Sequence, residues 1–217
     1  MALVARECSW SRIIFLVVAV LILIWSGIDP YDRFTWVLET LPAWVGLVAL
    51  IYFNKRMTTL LYILIALHCI ILCVGGKYTY AEVPFGFWVS EIFGWSRNHY
   101  DRLGHFFQGF EPAILAREVL LRKRVVSKGV WLSVFCITLP LAFSAFYELI
   151  EWWVALFTGE NAEAFLGTQG DVWDTQWDMF LALIGAGVAV LALSRIHSRQ
   201  LSLNNHITQP VKTSLSE

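Results

Sequence analysis

Charge is what this chain has least of. Only 15% of its 217 residues are Asp, Glu, Lys or Arg, while 58% are hydrophobic and mean hydropathy is +0.61. An ordinary soluble domain carries roughly 25% charged residues, so the composition excludes that class and implies an integral membrane protein. A basic footprint for nucleic acid is missing as well. The net charge of −1 says nothing about partners, because it conceals a strong segregation of sign along the chain. The four cysteines, Cys8, Cys69, Cys73 and Cys136, repeat no metal or redox spacing, and no disulfide framework is implied. Cys69 and Cys73 share a helix face and read as small core residues. No GxSxG elbow, HExxH pair, phosphate-binding loop or dinucleotide fingerprint occurs, so none of those chemistries is indicated. Repeats of fixed period and low-complexity tracts are also absent. The first apolar run, preceded by Arg6 and Arg12, lacks a small-x-small cleavage site before Asp29, which favours an uncleaved first span over a secretory signal.

What is present is a series of six apolar runs, at about residues 11–27, 34–53, 59–75, 102–121, 130–157 and 177–194. Each is near or above the roughly 17–25 residues that cross a hydrocarbon core. Uninterrupted runs of that length mean helices, because only helices and closed barrels satisfy every backbone group in lipid. The second run holds Glu39 and Pro42 near its start, where a proline costs little. The fourth is the least apolar, with Gln108, Glu111, Arg117 and Glu118, and is not expected to face lipid on all sides. With the N-terminus inside, eleven Lys and Arg fall in cytoplasmic segments against four in outward ones, a bias that predicts both termini in the cytoplasm. Phe85 to Trp95, in the outer connection 76–101, is aromatic but too short and Gly-interrupted to span, and is expected in the membrane interface. The fold class is therefore all-α: a polytopic six-helix membrane domain over residues 1–198, N-in and C-in. Residues 199–217, with Asn204, Asn205 and Pro210, read as a disordered cytoplasmic tail.

Ionisable groups at the bilayer centre cost about 2.5–3.5 kcal/mol each on insertion scales, so clusters of them in or beside spans require a reason. Asp101, His105 and Gln108 project from one side of the fourth helix at spacings of four and three. Glu148 and Glu151 stand one turn apart near the outer end of the fifth, and Asp171, Asp174 and Asp178 lead into the sixth. Converging carboxylates raise one another's pKa and need protons, an arginine or a divalent cation. Oxygen ligands suit Mg2+, Ca2+ or Mn2+, and the imidazole of His105 admits Zn2+ or Fe2+. The candidate metal ligands are His105, Glu148, Glu151, Asp171, Asp174 and Asp178, with Asp101 orienting His105 or acting as a base. Glu148 and Glu151 facing a histidine loosely resemble the carboxylate sites of helix bundles, without their Glu-x-x-His spacing. Two other readings stay open: a proton- or Arg-paired structural network, and unconnected surface acids acting as helix caps, Asp171 among them.

Arg97, Asn98, His99, Tyr100 and Arg102 are candidates for holding an anionic head group, since Arg suits bidentate phosphate contact; plain interfacial anchoring is the alternative. His68 reads as a core histidine bonded to a neighbouring helix. Trp152, Trp153, Trp173 and Trp177 suggest an interfacial belt, and Gly185 and Gly187 close helix packing.

Several stretches carry a family resemblance. They are Pro30-Tyr-Asp-Arg-Phe-Thr-Trp36, Gly75-Gly-x-Tyr-Thr-Tyr-Ala-Glu-Val-Pro84, Arg97-Asn-His-Tyr-Asp-Arg102, Gly104-His-Phe-x-Gln-Gly-Phe110, Tyr147-Glu-Leu-Ile-Glu-Trp-Trp153, Phe165-Leu-Gly-Thr-Gln-Gly-Asp171 and Trp173-Asp-Thr-Gln176. Across about residues 25 to 200 the chain resembles the YjdF family of bacterial inner-membrane proteins, which implies multi-pass topology and inner-membrane location rather than an activity. More distantly, Asp-x-x-x-His, an acidic helix end and an Asp-rich entry to a Gly-containing last span are similar to VanZ-like membrane proteins, a group associated with tolerance of glycopeptide antibiotics. That likeness implies envelope work.

The function expected is metal-dependent chemistry on a lipid or cell-envelope substrate, as a hydrolase or transferase, at an outward-facing site. Its partners would be membrane lipids and a lipid-linked or anionic envelope molecule, with no nucleic acid. An ion- or proton-coupled transporter is one alternative, although the acids collect at one face and only Glu111, Gln108 and His68 extend inward. A non-catalytic envelope-binding factor is the other.

Overall fold

The computed structural model describes residues 2–159 and 163–208. Along the chain run α1 (Ala2–Ser26), α2 (Arg33–Phe53), α3 (Thr59–Tyr78), a 3-10 turn (Tyr80–Glu82), α4 (Pro84–Phe93), α5 (Tyr100–Arg122), α6 (Val130–Thr158), α7 (Glu163–Leu166) and α8 (Asp174–Thr208). No β-strand occurs among the described residues. Local chemistry explains several boundaries. The Asp32 carboxylate accepts from the Thr35 N–H to open α2, and the Thr58 hydroxyl accepts from the Leu61 N–H to open α3. Pro84 occupies the first position of α4, and Gly94 ends it in the left-handed region at φ 68°.

Among the described residues, four helices are long and apolar enough to cross a membrane: Arg33–Tyr52, Thr59–Tyr78, Val130–Thr158 and Asp174–Leu203. The apolar part of α1, Trp10–Ser26, is shorter, and α5 is too polar to qualify on composition. The helix α5 is enclosed instead, packing against α8, α6 and α3, while α3 packs in turn on α1 and α2. Gln108, Glu111, Arg117 and Glu118 are all buried, so protein takes the place of lipid along this helix. The expected interfacial segment is the helix α4, whose Phe87, Trp88, Ile92 and Phe93 are exposed. Cys69, Cys73 and Cys136 are buried free thiols. One boundary differs from expectation. The chain from 199 to 208 continues α8 as helix rather than starting a disordered tail, because its Leu, Gln and Ser residues extend the helical pattern and Gln200 accepts from the Leu60 N–H at 2.9 Å. The rest of that tail, 209–217, lies outside the described residues.

Where α5 meets α8, two glycines let the backbones touch. A Cβ on Gly109 would collide with the Ala182 carbonyl, and one on Gly185 with the Phe106 carbonyl. Gly187 has open space around it, so the close packing expected of both sixth-span glycines belongs to Gly185 alone.

The two ends of the bundle differ in chemistry. At one end Glu118 of α5 accepts from the Thr58 N–H (3.0 Å), the Thr58 hydroxyl (2.6 Å) and Arg122 Nε (2.8 Å), and lies 2.9 Å from His197 Nε2. Arg117 completes the network, with Nη1 2.8 Å from His197 Nδ1 and Nη2 donating to the Ser198 hydroxyl. Nearby, Arg12 ties α1 to the carbonyls of Asn54 (2.6 Å) and Met57 (3.1 Å). At the opposite end the acids of α5, α6 and α8 gather.

Candidate functional site

The acidic end is assembled by three helices entering or leaving one level. The first turns of α5 supply Asp101 and His105, one turn apart on the face turned into the bundle. The helix α6 supplies Glu148 and Glu151, and the start of α8 supplies Asp178. His105 lies at the centre: its Nε2 is 3.5 Å from Asp101 and 3.9 Å from Asp178, and its Nδ1 is 3.8 Å from Glu148. Two sets of ligand atoms thus share one imidazole, Asp101 with Asp178 and Glu148 with Glu151, each within 4.8 Å of one another. Most of these separations exceed a hydrogen bond. One oxygen of Glu148, one of Asp178 and His105 Nδ1 are buried with no hydrogen-bond partner. Buried polar atoms are rarely left so.

Asp171 and Asp174 are not part of this group. They pair with Arg97, just before α5, and Arg102, in its first turn. Arg97 forms an ion pair with Asp174, lies 3.5 Å from Asp171 and donates to the Thr168 carbonyl at 2.7 Å. Arg102 donates to Asp171 at 2.8 Å and lies over the Trp177 ring, 5.1 Å from its centre. Asp171 also accepts from the Trp173 N–H at the entry to α8, close to its expected capping role. The structure therefore sorts the acids: one pair is neutralised by arginine, and four surround His105 with no arginine among them. The guanidiniums expected to hold an anionic head group are engaged with carboxylates.

The other candidates for that role serve as a brace. The Asn98 N–H donates to Gln169 (3.1 Å), whose amide donates back to the Asn98 carbonyl (2.9 Å), locking the approach to α5 onto the approach to α8. The Asn98 side chain donates to the Val83 carbonyl and accepts from the Tyr100 N–H. Tyr100 reaches the Ile71 carbonyl through its hydroxyl at 3.0 Å. Burial, followed by the Arg102 and Arg97 guanidiniums, holds the His99 imidazole below its ordinary range. His99 is accordingly neutral at pH 7, with Nδ1 accepting from Arg102 at 3.1 Å.

A cavity of about 50 Å3 opens beside His105, lined by Glu39, His68, Tyr80, Asp101, Gln108 and Glu151 among others. It has room for an ion with a few waters and none for a lipid. Glu39 is the residue that sequence reasoning placed in a span without assigning it to the site. It is buried, and neither carboxylate oxygen has a hydrogen-bond partner. A carboxylate one turn before Pro42 inside an apolar run was the available signal. Tyr80 was missed entirely: its ring fills the space against Gly75 and Gly104, where a Cβ would stand 2.6 and 2.9 Å from it. Burial pushes its phenol well up, so it remains a neutral hydroxyl. His68 bonds a neighbouring helix as expected, with Nδ1 3.2 Å from Glu111. It also lines the cavity.

The donor set fits a divalent cation. Four carboxylates and one imidazole are hard or borderline ligands of the kind Mg2+, Mn2+, Ca2+ and Zn2+ accept, and the orphaned oxygens supply free coordination. The other two metal candidates from the α8 entry, Asp171 and Asp174, would contribute only by releasing their arginines.

Comparison with known proteins agrees with the membrane reading. The family described as "Predicted membrane protein (DUF2238)" matches residues 11–199. The "Inner membrane protein YjdF" of Escherichia coli strain K12 is 54% identical over 183 residues, covering 83% of this chain and 88% of that protein. No solved structure matches the chain. The resemblance carried by the Arg97–Arg102, Tyr147–Trp153 and Phe165–Asp171 stretches thus extends along nearly all of the molecule, and the chain belongs to the YjdF (DUF2238) family of membrane proteins.

Proposed function

We propose that the protein is a six-span inner-membrane protein with both termini cytoplasmic, and that its outward end holds a divalent cation used on a lipid or cell-envelope substrate. The observation that carries this is the set of four carboxylates, Asp101, Glu148, Glu151 and Asp178, around His105, with one oxygen each of Glu148 and Asp178 unpartnered, while both nearby arginines are committed to Asp171 and Asp174. The topology is supported by the positive-inside rule, since the basic connections 54–58 and 122–129 lie at the end opposite these acids.

In this reading His105, Glu148, Glu151 and Asp178 hold the ion, and Asp101 orients the imidazole through Nε2 or accepts a proton from it. A bound cation would polarise a phosphoryl or acyl oxygen or activate water. The small cavity admits only the reacting group, so the bulk of a substrate would stay outside it. A separate cleft of about 370 Å3 at the entry to α8, lined by Thr168, Asp171, Asp174 and Thr175, would receive that bulk. A VanZ-like character of the last three spans, read from the sequence, would fit the same envelope setting.

The test is elemental analysis of the detergent-purified full chain after dialysis against mixed divalent metals. Wild type is expected to retain stoichiometric metal, His105→Ala and Glu148→Ala to lose it, and Asp171→Asn to keep it because Asp171 pairs with arginine. Equal trace metal in every protein would sink the assignment.

A second reading, ion or proton movement, is favoured by one observation. Gln108, His68 and Glu39 line the same cavity as His105, and His68 contacts Glu111 one turn deeper along α5. Flux in proteoliposomes that disappears in Glu111→Gln, with metal content unchanged, would support it over hydrolysis or transfer.

A further inference from the structure

At the end of the bundle opposite the acids, α1, the α2–α3 connection and the last turns of α5 enclose a cavity of about 750 Å3. Five basic side chains line it, Arg12, Lys55, Arg56, Arg122 and Lys123, against one carboxylate, Glu118. That carboxylate is already matched by Arg122, Thr58 and His197. Arg12 is spent on backbone carbonyls and forms a wall. Lys55, Arg56 and Lys123 are exposed and have no polar partner among the described residues, so three cationic heads surround the opening.

The rest of the lining is apolar, with Phe53 and Val119 about half exposed and Leu115 behind them. A free phosphate needs the cations and gains nothing from this wall. A zwitterionic lipid uses the wall, but it brings its own ammonium to a site already rich in cations and offers no net negative charge to offset them. A molecule with an anionic head and hydrocarbon chains uses both, and basic pockets between membrane helices at the cytoplasmic level are suited to it. We propose that this cavity binds one anionic glycerophospholipid, its phosphate among Lys55, Arg56 and Lys123 and an acyl chain along Phe53, Leu115 and Val119. The lipid would join α1, α2, α3 and α5 at their basic ends. This site is independent of the acidic one, whose cavity is about fifteenfold smaller by volume, 50 against 750 Å3.

The experiment is thermal unfolding of the full chain in a neutral detergent, titrated with phosphatidylglycerol, phosphatidylcholine or glycerol 3-phosphate. Phosphatidylglycerol is expected to raise the unfolding temperature, and the other two to leave it near its starting value. In the Lys55→Gln/Arg56→Gln/Lys123→Gln variant the half-effective phosphatidylglycerol concentration should rise at least roughly tenfold, since three cationic contacts to the anionic lipid are lost together. The variant's lipid-free unfolding temperature should match wild type, because all three side chains are exposed. A charge-matched control, Arg33→Gln/Lys128→Gln/Arg199→Gln, should respond as wild type does. Equal stabilisation by phosphatidylcholine, full stabilisation by glycerol 3-phosphate alone, or the same lipid response in both triple variants would each overturn the proposal. Native mass spectrometry of wild type gives a second measure that needs no variant: preferential retention of one phosphatidylglycerol over phosphatidylcholine is expected, and no preference would count against the site.

Discussion

Glu118→Ala is expected to lower the unfolding temperature of the full chain by roughly 10 °C, corresponding to about 3–5 kcal/mol. The size follows from what the carboxylate satisfies. Arginine can only donate, so the 2.8 Å contact from Arg117 makes His197 Nδ1 an acceptor and places the ring proton on Nε2, which donates to Glu118. The same carboxylate accepts from the Thr58 N–H, the Thr58 hydroxyl and Arg122. Its removal strands donors on three helices in a buried position, and water cannot easily replace it where His197 is fully enclosed. Arg122→Ala removes only the most exposed partner and should cost about 1 kcal/mol or less. Glu118→Gln, which keeps the shape and some of the acceptors, should fall between. Thermal unfolding in detergent would decide the matter, and a Glu118→Ala loss no larger than that of Arg122→Ala would show that the network is not what joins α3, α5 and α8.

The second large effect is expected from one methyl group. Gly109→Ala and Gly185→Ala each place a Cβ against a carbonyl of the facing helix, Ala182 in one case and Phe106 in the other. Backbone cannot rotate away as a side chain can, so α5 and α8 must separate. We expect a loss of at least about 2–3 kcal/mol for either variant, at the upper end of what overpacking costs. Gly187→Ala is the internal control: it meets nothing within 4 Å and should be neutral or stabilising by up to about 1 kcal/mol from helix propensity alone. Because α5 carries Asp101 and His105 and α8 carries Asp178, the separation should also reduce retention of the proposed cation in variants that alter none of its proposed ligands. Yield of monodisperse protein, unfolding temperature and metal content together test this. If Gly187→Ala proved as harmful as Gly185→Ala, close approach would not be the cause.

Much of the architecture was legible beforehand because lipid imposes a simple rule. A segment long and apolar enough to cross must be helical, and the apolar runs coincide with α1, α2, α3, α5, α6 and α8 to within a few residues at most ends. The start of α1 and the end of α8 departed most, since helical hydrogen bonding continues outside the apolar stretch. Spacing along one helix was equally readable: Asp101 and His105 do share a face of α5, and Glu148 and Glu151 do reach the same level.

Pairing between helices was not readable in that way. Asp171, Asp174 and Asp178 form one series in the sequence, yet the first two pair with Arg97 and Arg102 while Asp178 turns inward to His105. Spacing along a helix cannot assign partners that sit 69 or more residues away, because the sign and distance of a charge on another element are set by packing. Glu39 and Tyr80 joined the cavity for the same reason.

By itself, then, the amino-acid sequence determined that this is an all-helical membrane protein, which segments are helical, and that acids and bases are segregated along it, because hydrophobic burial in lipid and helical periodicity are local properties. Only the tertiary structure decided which carboxylates remain without a cation, which glycines bring α5 and α8 together, and where five basic side chains enclose an apolar-walled cavity, because Coulombic and steric terms depend on distances through space that the order of residues does not contain.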